Sequence, residues 1–227
     1  MVATLSAVGF LFVPALRHSR ERSQCAVCRN NLHLLGIATH TYASQHGGVL
    51  FSHLHINGDW GSFNLPETLF AQLTDLVGEK TVDCPNLFPF TSPWPVYESG
   101  ARATSNQGAF IVYNYCSGMP EASMLRYCAW ESPLLTSDEP SLPLFTDPNN
   151  YGWIYSYWAV VPHTATGPRR SKGSTFLALN AQLTPSGLGA EGGNVCSLDG
   201  PVLWRPIGQM KSDYWIYESD FGNRGMW

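Results

Sequence analysis

The chain is poor in charge. Lys, Arg, Asp and Glu make up 13% of its 227 residues, about half of the usual share of about 25%. That argues against a highly charged cytosolic helical protein. There is no basic excess either. A net charge of −4 leaves no basic excess to neutralise a phosphate backbone, which argues against nonspecific nucleic-acid binding. A long apolar run is also missing: Val2 to Leu16 supplies 15 residues, whereas a complete span takes about 20. No small-residue cleavage site follows that run. The sequence has no G-x-S-x-G, H-E-x-x-H, S-x-x-K or P-loop motif, so a nucleophilic, zinc-protease or nucleotide-dependent activity has no motif behind it. Internal repeats and low-complexity tracts are absent.

Aromatic residues and chain breakers are plentiful. Aromatics reach 13%, with 21 Gly and 16 Pro. The length suits one domain with its own core, and the composition points to a loop-rich β or α+β domain outside the cytoplasm.

The first forty-eight residues organise the rest. The apolar run VATLSAVGFLFVPAL is followed by a basic segment, RHSRERSQ, and then by a second helical pattern. In that pattern Cys25, Cys28, Leu32, Leu35, Thr39 and Tyr42 step by three and four and share one face, with Arg22, Arg29, Asn30, His33 and His40 mostly off it. Gly47-Gly48 is the expected stop. The spacing predicts one long helix, with residues 1–24 as an apolar anchor and basic flank. Residues 25–227 form the globular domain, its first helix (25–46) continuous with the anchor. Pro14 is expected to kink it. Phe10, Leu11, Phe12, Val13, Pro14 and Leu16 belong to the expected membrane or assembly helix, and Leu32, Leu35 and Tyr42 are expected to dock the helix.

Further along, residues 51–63 read as loop. Pro66 opens a second helix whose apolar face is Leu69, Leu73 and Leu76, ending at Gly78. Strands are expected at Ala109–Tyr115, Met124–Trp130, Trp153–Val161 and Thr175–Leu179. Residues 131–151 read as a proline-rich connection and 167–173 as a basic loop. Asn194–Leu198 and Val202–Arg205 make a hairpin around Asp199-Gly200. Helices do not alternate with these strands, so the sheet is expected to be antiparallel.

The two ends of the chain carry a resemblance. Pro14-Ala15-Leu16, the Arg-rich turn, Cys25 or Cys28, Asn31-Leu32, Leu35-Gly36 and Tyr42 before Gly47-Gly48 resemble the N-terminal helix of prepilin-like proteins. These are the type II secretion pseudopilin relatives of planctomycete and verrucomicrobial genomes. Gly192-Gly193-Asn194-Val195, Asp199-Gly200 and Trp204 resemble the C-terminal signature of the same family. The family's basic leader, Gly cleavage site and Phe-Thr-Leu-Ile-Glu are not in this sequence; a start upstream of Met1 or a lost leader accounts for that. The His that the family often has ten residues before the Asp is replaced by Gly189, and His163 is a possible substitute. The resemblance implies a pilin-like fold, with a long N-terminal helix packed on a small antiparallel sheet with loop-rich insertions. It implies a non-enzymatic structural or secretion-associated role at the inner membrane facing the periplasm, or at the cell surface. The expected partners are the inner membrane, and further copies or pseudopilus subunits through the helix. The Arg residues lie only after the apolar run, which by the positive-inside rule favours the opposite orientation from the family's.

Chemistry-bearing residues have bland readings beside sharp ones. Cys25-x-x-Cys28 suits zinc only with a second ligand pair, and no second CxxC exists, while His33 lies on another face. Both cysteines sit on the apolar stripe and read as buried thiols. A disulfide to Cys84, Cys116, Cys128 or Cys196 is the other possibility, and six cysteines allow fifteen connectivities. His53-x-His55 reads as surface loop. No cofactor is expected. Calcium, which the resemblance brings to mind, would fall on Asn194, Asp199, Asp213 and Asp220. The acids Asp199, Asp213, Glu218 and Asp220 read as turn and surface groups rather than a glycosidase pair. The aromatic run WIYSYW offers the alternative function, an exported, tethered module binding carbohydrate or cell-wall material.

Overall fold

A computed structural model describes residues 2–52, 61–87, 109–119, 130–154, 156–165, 167–172, 189–211, 214–215 and 224–227. The expected strands Met124–Trp130 and Thr175–Leu179, apart from Trp130, lie outside these residues, as do His53, His55, Cys128, Asp213 and Asp220.

The long helix α1 spans Val2–Gln45 and is about 66 Å long at 1.5 Å per residue. It runs through Pro14 without a break in its helical assignment. It ends where the double glycine places it: Gly47 and Gly48 take φ of 65° and 86°. The Gly48 N–H then bonds back to the Ala43 carbonyl at 2.8 Å, satisfying an otherwise orphaned acceptor.

After β1 (Asn64–Leu65) comes α2 (Glu67–Val77). Pro66 precedes it, and Gly78 at φ 84° donates to Thr74. Leu69 and Leu73 are buried as expected, but Leu76 is 55% exposed. It lies in the last turn of α2, which ends at Val77. A 3-10 turn at Glu79–Val82 leads to Cys84.

The strands form three antiparallel sheets among the described residues. β1 pairs with β2 (Ala109–Phe110). β3 (Asn114–Tyr115), β4 (Pro143–Thr146), β8 (Gly192–Ser197) and β9 (Val202–Pro206) lie in the order β3-β4-β8-β9. β5 (Asn149–Ile154), β6 (Ser156–Val161), β7 (Arg169–Lys172), β10 (Tyr214–Trp215) and β11 (Arg224–Met226) lie in the order β10-β11-β5-β6-β7.

Four expectations need correction. Ala109–Tyr115 is not one strand: its ends pair in different sheets, Ala109 with Leu65 and Tyr115 with Phe145. The intervening Ile111, Val112 and Tyr113 are buried as a crossover. Trp153–Val161 is not one strand either but the tip and return of a hairpin, Trp153 facing Tyr157 and Ile154 facing Ser156. All these residues favour strands, so propensity marks the type and gives no turn. The proline-rich connection contains β4 and the start of β5, with Pro143 tolerated at a strand's first position. The basic loop contains β7, paired with β6 from Val161↔Arg169 to Trp158↔Lys172.

The core lies between α1 and the β3-β4-β8-β9 sheet. Cys28, Leu32, Leu35 and Thr39 are fully buried, and α1 packs across β8 and β4. Gly36 allows the close approach: a Cβ there would stand 3.1 Å from Cys196 Sγ. The β8–β9 hairpin runs from Gly192↔Pro206 to Cys196↔Val202. Its Asp199-Gly200 turn has Gly200 at φ 101°.

Candidate functional site

Polar side chains gather where α1 crosses the sheet. Glu21 is the only acid in α1. It meets His163, which follows β6, with Glu21 Oε1 2.7 Å from His163 Nδ1. His163 Nε2 lies 3.4 Å from Asp147 Oδ2, between β4 and β5. His163 and Asp147 are almost wholly buried, at 0% and 1% exposure. Each carboxylate has other donors. Asn86 Nδ2 reaches Glu21 at 2.9 and 3.0 Å, and the Asn194 N–H and Nδ2 reach Asp147 Oδ2 at 2.7 and 2.8 Å.

These neighbours set the charge of His163. Burial alone would lower its pKa. Contacts with Asp147, Cys25 and Glu21 outweigh burial and push it up to about 12, so the ring is an imidazolium between two carboxylates. Such a pair is well held when complete and costly when one member is removed.

About two turns along α1 from Glu21, Cys28 Sγ lies 3.0 Å from Cys84 Sγ. Both thiols are free and buried. Burial, then the contact with Cys84, pushes the Cys28 thiol far up. Asn31 Nδ2 donates to the Asp83 carbonyl at 3.0 Å and to Tyr113 Oη at 3.2 Å. Burial raises the Tyr113 hydroxyl, which stays protonated. The helix therefore docks through a polar seam of Glu21, Cys25, Cys28 and Asn31 that leads into an apolar one.

The anticipated residues fall as follows. Leu32 and Leu35 are fully buried. Tyr42 is partly buried, stacked on His46 at 3.9 Å between centroids and edge-on to Phe51 at 5.7 Å. Phe10, Leu11, Phe12, Val13 and Pro14 lie in helical backbone, and Leu16 is 66% exposed. Gly192 and Gly193 are buried in β8. A Cβ on Gly192 would stand 2.2 Å from the Arg205 carbonyl oxygen and 2.8 Å from the Trp204 ring. Trp204 also faces His163 at 5.7 Å between ring centroids.

The calcium set is not assembled among the described residues. Asn194 is buried with its amide nitrogen on Asp147, while Asp199 is exposed in the hairpin turn. Of the aromatic run, residues 153–154 and 156–158 are described in their backbone alone, at the facing ends of β5 and β6, and Tyr155 lies outside the described residues.

Sequence reasoning passed over Glu21, Asn86 and Asp147. One signal was there: a single acid among Arg17, Arg20 and Arg22. Its partners lie 65 to 142 positions away along the chain.

Fold and site together define an α+β chain whose long N-terminal helix is fixed on an antiparallel sheet by a buried acid–imidazole–acid triad. No family model, curated protein or solved structure matches the chain.

Proposed function

We propose that the chain is a pilin-like, non-enzymatic structural subunit. Its α1 is docked by one half and offers the other half for assembly. The observation that carries this reading is the continuity of α1. Residues 21–45 carry Glu21 of the triad and the Leu32/Leu35 face, whereas residues 15–20 are exposed on the same unbroken helix. A helix this long, stabilised by packing along only part of its length, needs a further partner for the remainder.

Among the described residues, no helix is long and apolar enough to cross a membrane. The expected environment of residues 2–16 is lipid or other α1 helices at the inner membrane, as in a pseudopilus. A periplasm-facing or surface location goes with this reading.

Phe12→Lys tests it. The charged variant is expected to leave the membrane or assembled fraction and appear as soluble monomer with an unchanged fold. Fractionation that stays unchanged would sink the reading. Deletion of residues 1–24 removes Glu21 as well, so the cleaner truncation stops at Arg20. A soluble 21–227 fragment that retained glycan binding would favour the tethered binding module instead.

A further inference from the structure

Among the described residues, two sets of metal-ligating atoms share one imidazole. Cys28 Sγ, Cys84 Sγ and a ring nitrogen of His163 all lie within 4.8 Å of one another, and so do Glu21, Cys25 and His163. The sequence offered Cys25-x-x-Cys28 and lacked a second pair; the fold supplies one, as Cys84 and His163. An independent feature points inward to the same place. His163 Nε2 is wholly buried and makes no hydrogen bond, its contact with Asp147 Oδ2 being an ion pair at 3.4 Å, and Asp147 Oδ1 has no hydrogen bond either.

We propose that Cys25, Cys28, Cys84 and His163 form a zinc site of the Cys3His kind that fastens α1 to the globular part of the chain. Three thiolates and one imidazole are a common tetrahedral set for structural zinc. Residues three apart on a helix reach the same side, so Cys25 and Cys28 form one jaw. Nε2 is the ligating nitrogen, because Nδ1 is already engaged with Glu21 at 2.7 Å. A ligating imidazole ordinarily gives its other N–H to a carboxylate, which is Glu21's place here.

The adjustment required is small for the closest pair. Tetrahedral zinc with Zn–S bonds of about 2.3 Å separates two sulfurs by about 3.8 Å, against 3.0 Å between Cys28 and Cys84. Cys25, partly exposed at the edge of the seam, swings in as the fourth ligand and marks the way in. Binding releases one proton from each thiol and one from the ring, with no change of oxidation state.

The full chain, reduced and freed of metal with a chelator, is titrated with cobalt(II) as a spectroscopic probe. The expected result is one cobalt per chain, intense tetrahedral ligand-field bands and a thiolate charge-transfer band, all displaced by one equivalent of zinc. Cys25→Ser is expected to remove about a third of the charge-transfer intensity, one of three thiolates, while Cys196→Ser leaves it unchanged. Weak octahedral bands, or no binding by the reduced chain, would overturn the site. So would chain isolated from its own cells with Cys28 and Cys84 joined and two hydrogens lighter. Full intensity in Cys25→Ser would overturn the fourth ligand. Because the wild-type spectrum alone decides, a poorly folding variant does not protect the proposal. The outcome is also independent of whether the chain assembles.

Discussion

At the scale of single residues, His163 is the group whose change should be felt most. It is held as an imidazolium by two carboxylates, with Cys25 alongside. Its folded pKa is raised, so in the metal-free chain its contribution is complete below the unfolded value of 6.5. The contribution shrinks as pH climbs from there towards about 12. The slope is at most about 1.4 kcal/mol per pH unit. Denaturant unfolding at about pH 6 and about pH 9 should give a lower midpoint at the higher pH. His163→Gln should be less stable at the lower pH and should flatten that difference. A wild-type midpoint rising with pH would contradict the triad. Leu35 belongs at this scale too. It is fully buried, and Leu35→Ala is expected to cost about 2–5 kcal/mol by transfer and cavity terms, read from the same unfolding curves.

At the scale of elements, the β8–β9 hairpin makes the sharpest demand. Gly192 has the Arg205 carbonyl 2.2 Å from where a Cβ would be. Gly192→Ala should therefore push the hairpin apart and lower the thermal midpoint by several degrees, on the order of 2–4 kcal/mol. Gly208→Ala, in open space, should do almost nothing.

This hairpin was legible because its turn chemistry is local: Asp199-Gly200 names the reversal, and the flanking residues favour strands. The stripe of α1 was legible for the same reason, since Cys28, Leu32, Leu35 and Thr39 repeat within a few turns. The β5–β6 hairpin was not. Trp153 to Val161 carries strand formers on both sides of the reversal, and register there depends on partners in β7 and β11. Arg169–Lys172 reads as loop because it is basic and short, yet it borders a sheet as an edge strand, where charged residues are at home. The triad was illegible for a topological reason. Glu21, Asp147 and His163 meet only after both sheets have formed, and no local pattern encodes that meeting.

At the scale of the whole molecule, the division is between the docked length of one helix and its exposed residues 15–20. A chain truncated to residues 21–227 keeps Glu21, both cysteines of the helix and the Leu32/Leu35 face. It is expected to fold with nearly unchanged denaturant stability, while losing the assembled or membrane fraction. Truncation to residues 29–227 removes Glu21, Cys25 and Cys28 together and should destabilise the remainder, as seen by earlier unfolding and faster proteolysis. Equal stability of the two fragments would show that the polar seam contributes nothing to docking.

The unbroken helix also makes the molecule a lever. Residues 2–20 rise about 28 Å beyond the seam, so a change of about 10° in helix direction at Glu21 would carry the N-terminus about 5 Å sideways. The pivot sits at the triad. A small side-chain adjustment there would be multiplied severalfold at the far end, and the ring of His163, buried between Glu21 and Asp147, would set the angle at which residues 2–20 are presented.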